Sequence, residues 1–201
     1  MTASVADLYI AAAQHVDGVV ATVGPDDWNR PTPCAEWDVA ALVRHLTDEQ
    51  RWAGPLLDGL GLDEAGAAVA EMEGVHSTAT PGEPLRAAWS AANVTALAAA
   101  TRTPPGATVE ISRGRVTADE FLEEMFADQL IHGWDLARAI GAPDRLPPDL
   151  VIVCAGWFPL VEDAWRQGGS VGPRVEAPAG ADPQERLLAA FGRSSRWVPG
   201  E

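Results

Sequence analysis

The chain has 201 residues, enough for one domain with a sizeable core and a small appendage. A hydrophobic content of 47% belongs to a globular protein and excludes disorder. The formal net charge of −15 repels phosphate backbones and anionic headgroups, which speaks against nucleic-acid binding and membrane docking.

The N-terminus, MTASVADLYIAAAQHV, lacks the basic region of a signal peptide. Val5, Leu8, Tyr9, Ala12, Val16, Val19, Val20 and Val23 recur at helical spacing and predict a long amphipathic first helix. GPDDW breaks it, and the two prolines of RPTPCAEWD bar a new helix until Asp38, a good N-cap. A second helix is expected from about Val39 to Leu60, with Leu42, His45, Leu46, Glu49, Ala53 and Leu56 on one face. Gly-rich sequence between Gly59 and Gly82 holds a short helix near Glu64 to Glu73. An Ala-rich third long helix follows from about Pro84 to Thr101. TPPGA stops it, and TVEISRGRVT reads as two short strands around Arg113-Gly114. Thr117 and Glu120 form a capping box that opens a helix ending at Gly141 in the C′ role. LPPDL opens a last bundle helix to about Gln167, bent or broken near Pro159. The tail reads as a short strand near residues 173–177, then a short helix capped by Asp182 with Pro183 in its first turn. Leu187, Leu188, Phe191 and Trp197 need burial, so the tail is expected to pack on the bundle. The fold class is therefore mainly α, a four-helix bundle with short β pieces, in which residues 1–167 form the bundle and residues 168–201 an extension packed on it. No apolar run approaches the ~20 residues of a membrane span, and a soluble, cytoplasmic protein is expected.

Two cysteines, Cys34 and Cys154, make no disulfide framework. Cys154 lies in the apolar run VIVCAGW and reads as packing, whereas thiolate ligation or nucleophilic attack is conceivable for Cys34. Of the four histidines, His15 and His76 (the latter in the loop-like GVHSTAT) read as structural or solvated. His45 and His132 differ, because each shares its helix face with apolar residues and points inward. Within FADQLIHGWDLARAIG, Asp128, His132 and Asp135 stand at i, i+4 and i+7 and project from one side. That pattern is either a solvated stripe or a ligand set. A buried carboxylate needs a partner, and Arg138, the nearby base on the same helix, lies on another face. A metal ion would satisfy Asp128, His132 and His45 together, since two ligands a turn apart plus a third from a facing helix is how bundles build metal sites. Glu49, one turn beyond His45, is the rival ligand. Asp135 is an alternative ligand or, more simply, the group that orients His132.

WNRPTPCAEWDVAALVRHL and DQLIHGWDLARAIG resemble the mycothiol-dependent maleylpyruvate isomerase-like family, within the DinB/YfiT-like metal-binding superfamily. VEAPAGADPQERLLAAFGR resembles the C-terminal signature of an actinobacterial branch of it. The basic residues, all 14 of them Arg, fit a GC-rich coding sequence of such a source. The resemblance implies a DinB-like four-helix bundle with a divalent metal, usually Zn2+, at an open end. It also implies His45, Asp128 and His132 as the ligands. The isomerase pattern has Glu where this chain has Asp128, and the chain is too short for that enzyme's separate C-terminal domain.

Three N/O ligands leave zinc an open position, as in catalytic sites. The resemblance implies mycothiol as a cosubstrate there and a small electrophile as substrate, with S-transfer or thiol-assisted isomerisation as the reaction. Other outcomes remain open: a metal-dependent hydrolase using bound water, a tailoring enzyme for a specialised metabolite, or a non-enzymatic metal-binding protein. The partner expected is a small molecule, not nucleic acid or a membrane, and the chain is expected as a monomer or homodimer.

Overall fold

The computed structural model describes residues 3–35, 37–76 and 80–199, with the side chains of residues 73–76 outside that description. Four long helices make the bundle: α1 (Val5–Val20), α2 (Val39–Leu57), α4 (Glu83–Arg102) and α5 (Ala118–Ile140), with α3 (Leu62–His76) between the second and third of these. α1 packs chiefly along α5, and α2 along α4. Matched pairs advance together along α2 and α4: Gln50 bonds Asn93, Gly54 abuts Thr95, and Asp58 pairs with Arg102. The two helices are therefore parallel neighbours. A chain that must return to the same end before starting the next helix needs a long connection, and α3 with its flanking turns is that return.

The capping chemistry read from sequence operates as expected. The Asp38 carboxylate accepts the Ala41 amide at 2.7 Å and opens α2. Thr117 and Glu120 form a reciprocal capping box at the start of α5, and Gly141, at φ 72°, closes it. Strands β1 (Thr108–Ile111) and β2 (Gly114–Thr117) pair antiparallel, with Val109 opposite Val116.

Several boundaries differ. α2 stops at Leu57 rather than Leu60, and Gly59 turns the chain with φ 88°. The short helix expected over 64–73 is the full α3, which takes in His76; the reading of that side chain lies outside the described residues. The expected last bundle helix is three pieces: α6 (Pro148–Trp157), a 3-10 turn at Phe158–Leu160 that contains Pro159, and α7 (Glu162–Gln167). Among elements, α6 finds its main partner in α8 (Pro183–Ala190) and not in the bundle helices. No strand forms at 173–177, because no neighbouring strand is there to pair; the Val175 amide bonds the Ala189 carbonyl at the end of α8 instead. Leu187, Leu188 and Phe191 are buried as expected, but Trp197 is only half-buried.

The apolar core divides in two. One cluster gathers Tyr9, Ala13, Ala53, Leu56, Ala96, Phe126 and Leu130 and continues through Leu150, Phe158, Leu187 and Phe191. The other gathers Val16, Val20, Leu42, Leu46, Trp89, Leu136 and Ala139. Where one cluster gives way to the other, each bundle helix carries polar groups: His15 on α1, Thr47 and Gln50 on α2, Asn93 on α4, His132 and Asp135 on α5. Gln50, Gln129 and Asp135 are wholly buried there. Tyr9 donates to Gln50 Oε1, and Gln50 donates to Asn93 Oδ1 at 2.8 Å, so a polar chain crosses from α1 through α2 to α4.

Candidate metal centre

His45 comes from the middle of α2, and Asp128 and His132 lie one turn apart on α5. Their donor atoms all lie within 4.8 Å of one another. His45 Nε2 and His132 Nε2 each stand 3.4 Å from Asp128 Oδ1. That spacing is long for a charge-assisted hydrogen bond, which runs to about 2.7–2.9 Å. Donors held about 2.0–2.1 Å from one tetrahedral zinc ion, however, stand about 3.3–3.4 Å apart. Asp128 Oδ2 is buried without a hydrogen-bond partner. A buried carboxylate with one oxygen unpartnered is costly as an anion, and a cation shared by the three side chains would offset its charge. The residues present therefore fit a divalent ion with nitrogen and oxygen ligands.

Asp135, wholly buried, holds His132 from behind: its Oδ2 lies 3.0 Å from His132 Nδ1. Burial opposes its charge, but the His132 hydrogen bond and the Arg193 guanidinium prevail and keep the carboxyl below its ordinary pKa. An ionised carboxylate only accepts, so His132 Nδ1 carries a proton, and Nε2, on the side of Asp128, is the ring nitrogen left to ligate. This is the geometry that an orienting role for Asp135 requires.

Arg193 was not legible as a site residue. It arrives from the segment after α8, 58 residues along the chain, with Nε 3.2 Å from both Asp135 oxygens and Nη2 2.9 Å from Oδ2. Trp37 was also missed. Its ring centroid lies 4.6 Å from that of His45 and 5.5 Å from that of His132, so it covers both imidazoles. The loop before α2 holds it there: Thr32 Oγ1 donates to the Trp37 carbonyl at 2.9 Å, and Pro31 bridges Asp38. The sequence signal for Trp37 is its place beside the Asp38 cap within WNRPTPCAEWD.

Electrostatics follow from the crowding. Burial works against a charged Asp128, but His132 and His45 outweigh it and lower its pKa. Burial likewise opposes protonation of His45, yet Asp128 raises its pKa, helped by Glu49 and Asp48. Glu49, the rival ligand, is not in the converging group. Burial and the Asp128 charge push its pKa up to about 7. Cys34, half-buried in the Trp37 loop, is not among the converging donors either. Cys154 is fully buried beside α8, as its apolar run implied. His15 is half-buried between α1 and α5, with Nε2 lacking a hydrogen-bond partner. Arg138 points away from Asp128 and donates to the Ser195 and Trp197 carbonyls.

No helix among the described residues is long and apolar enough to cross a membrane. The pattern of the mycothiol maleylpyruvate isomerase N-terminal domain matches residues 10–137, a stretch that contains all three converging donors. Two curated relatives, the uncharacterized proteins MT0763 and Rv0738 of Mycobacterium tuberculosis (strains CDC 1551 / Oshkosh and H37Rv), are each 29% identical to the chain over 191 residues, covering 89% of this chain and 91% of theirs. No solved structure gives a significant match. The mainly α, DinB-like bundle and the matched span agree, and the chain belongs to the mycothiol maleylpyruvate isomerase N-terminal domain family.

Proposed function

We propose that the protein is a metal-dependent enzyme that uses a low-molecular-weight thiol, mycothiol or a relative, for S-transfer to a small electrophile or for its thiol-assisted isomerisation. The observation that carries this reading is the convergence of His45 Nε2, Asp128 Oδ1 and His132 Nε2 inside a span that matches a mycothiol isomerase domain. Two nitrogens and one oxygen suit Zn2+, and three protein ligands leave a position open for a cosubstrate. A zinc ion held there supplies Lewis acidity that favours the ionised form of a thiol, whose free pKa is near ~8.5. The chain does the rest. His45, Asp128 and His132 would hold the ion, Asp135 would fix the His132 ring, and Trp37 packs against both imidazoles. Glu49, one turn along α2 from His45 and outside the converging group, is the carboxylate assigned to take the proton that a thiol would release.

The test is turnover of a thiol with an electrophile such as a chlorinated aromatic. The rate should fall on chelation and return with zinc. It should stay flat through neutral pH, where an unassisted thiol reaction still climbs about tenfold per unit. Cys34→Ser should leave it unchanged, since the nucleophile comes from the cosubstrate. Turnover without any thiol would transfer the assignment to the hydrolase reading.

A further inference from the structure

We infer that Arg193 is a positioning residue of the metal centre, and that through it the C-terminal extension selects the metal-binding form of His132. The inference rests on the reading of His45, Asp128 and His132 as metal ligands.

Among the described residues, every hydrogen bond to the Asp135 carboxylate comes from His132 Nδ1 or from Arg193. The carboxylate has no exposed surface, so water does not replace either partner. A planar guanidinium donating through Nε and Nη2 fixes the carboxylate in its own plane, which a single imidazole bond cannot do. The fixed carboxylate then accepts from Nδ1, and the Nε2 lone pair is left on the side of His45 and Asp128. Without the fork, the carboxylate can rotate and the imidazole is free to carry its proton on Nε2, where it would block a metal.

The local structure delivers Arg193 rigidly. α8 is opened by the Asp182–Glu185 capping box and anchored by Leu187, Leu188 and Phe191. It ends in a Schellman turn: the Gly192 amide bonds the Ala189 carbonyl at 3.1 Å, and the Arg193 amide bonds Leu188 at 2.8 Å. Gly192 has φ 76°, and a Cβ there would stand 2.8 Å from the Pro173 carbonyl oxygen, so only glycine can make this turn. Arg193 Nη1 also donates to the Phe191 carbonyl at 3.1 Å, which pins the guanidinium to its own helix end. The family match stops at residue 137, so this support comes from outside the matched span.

The experiment uses the full chain and zinc alone. Affinity is read by competition with a chromophoric chelator, and the His132 tautomer by nitrogen NMR of the metal-free protein. Arg193→Gln should lower zinc affinity about 10–100-fold. It should also shift His132 from the Nδ1–H form toward Nε2–H. Arg193→Lys, which keeps the charge and loses the fork, should fall between. Arg138→Gln is the control, because Arg138 also ties the tail to α5 but does not touch Asp135. Wild-type affinity and tautomer in Arg193→Gln would overturn the inference, as would an equal loss in Arg138→Gln. If Arg193→Gln does not fold, Arg193→Lys decides, and wild-type affinity there overturns the inference. A wild-type chain that binds no zinc, or binds it equally well after His132→Ala, would overturn the metal reading itself and this assignment with it.

Discussion

At the scale of single residues, the converging donors are set apart from Glu49 by where their atoms lie. Asp128 Oδ1 lies 3.4 Å from both imidazole nitrogens, while Glu49 senses the same charges without joining the group. Asp128→Asn should therefore weaken zinc binding by well over the ~100-fold that an orienting partner is worth, as should His45→Ala or His132→Ala. Glu49→Gln should bind zinc normally and turn over slowly. Metal analysis of the two carboxylate variants separates the roles, and loss of zinc in Glu49→Gln alone would exchange them. The cysteines divide just as clearly. Burial pushes the Cys154 thiol up to about 12, and no surface of it is exposed. In the native protein Cys154 should therefore resist alkylation at pH 8 and react only on unfolding, as mass spectrometry of the labelled peptides would show.

Elements carry the second set of consequences. α7 and the extended segment that follows are held by one carboxylate: Glu162 accepts from Arg166 on its own helix and from Arg174 beyond it. The Arg174 hydrogen bond, with Arg166, lowers its pKa from 4.5 to about 2. A carboxyl depressed in the folded state stabilises above its unfolded pKa and ceases to as pH falls through the folded one. The clasp should thus be intact at pH 5 and above and weaken progressively between pH 4.5 and about 2. Amide hydrogen exchange of residues 172–176 should speed up across that window relative to the rest of the chain. In Glu162→Gln that extra pH dependence should be gone; its persistence would place the acid-sensitive contact elsewhere. The same segment explains why the predicted strand is absent. Alternation can mark a segment as extended, but a strand also needs an edge to pair with, and here α8 offers only its terminal carbonyl.

For the whole molecule, the polar layer between the two apolar clusters is the organising feature. It places the candidate metal centre at a level where α1, α2, α4 and α5 all present hydrogen-bonding groups, and it ties three helices through Tyr9, Gln50 and Asn93. Burial drives the Tyr9 hydroxyl pKa up, so it remains a donor at any physiological pH. Tyr9→Phe removes that donor and leaves the buried Gln50 oxygen without it, at a cost of about 1–3 kcal/mol. The urea midpoint should drop with the slope unchanged. An unshifted midpoint would mean that the layer relaxes or takes in water.

By itself the sequence determined the helices, most of their ends, and the candidate donors. Helical periodicity, caps and Gly141 are local properties, and a one-turn spacing on α5 puts Asp128 and His132 on one face whatever surrounds them. His45 was legible because its face is otherwise apolar, so it had to point inward. Only the tertiary structure shows Asp128 and not Glu49 among the converging donors, since both carboxylates satisfy the spacing and the outcome rests on how α2 turns toward α5. It alone brought Arg193 to Asp135 and Trp37 over the two histidines. Those contacts join segments 58 and 95 residues apart in one case each, through a glycine turn after α8 and a proline-bridged loop before α2. No periodicity records such meetings, because side-chain patterns specify which face of an element is buried and not which distant loop will cover it.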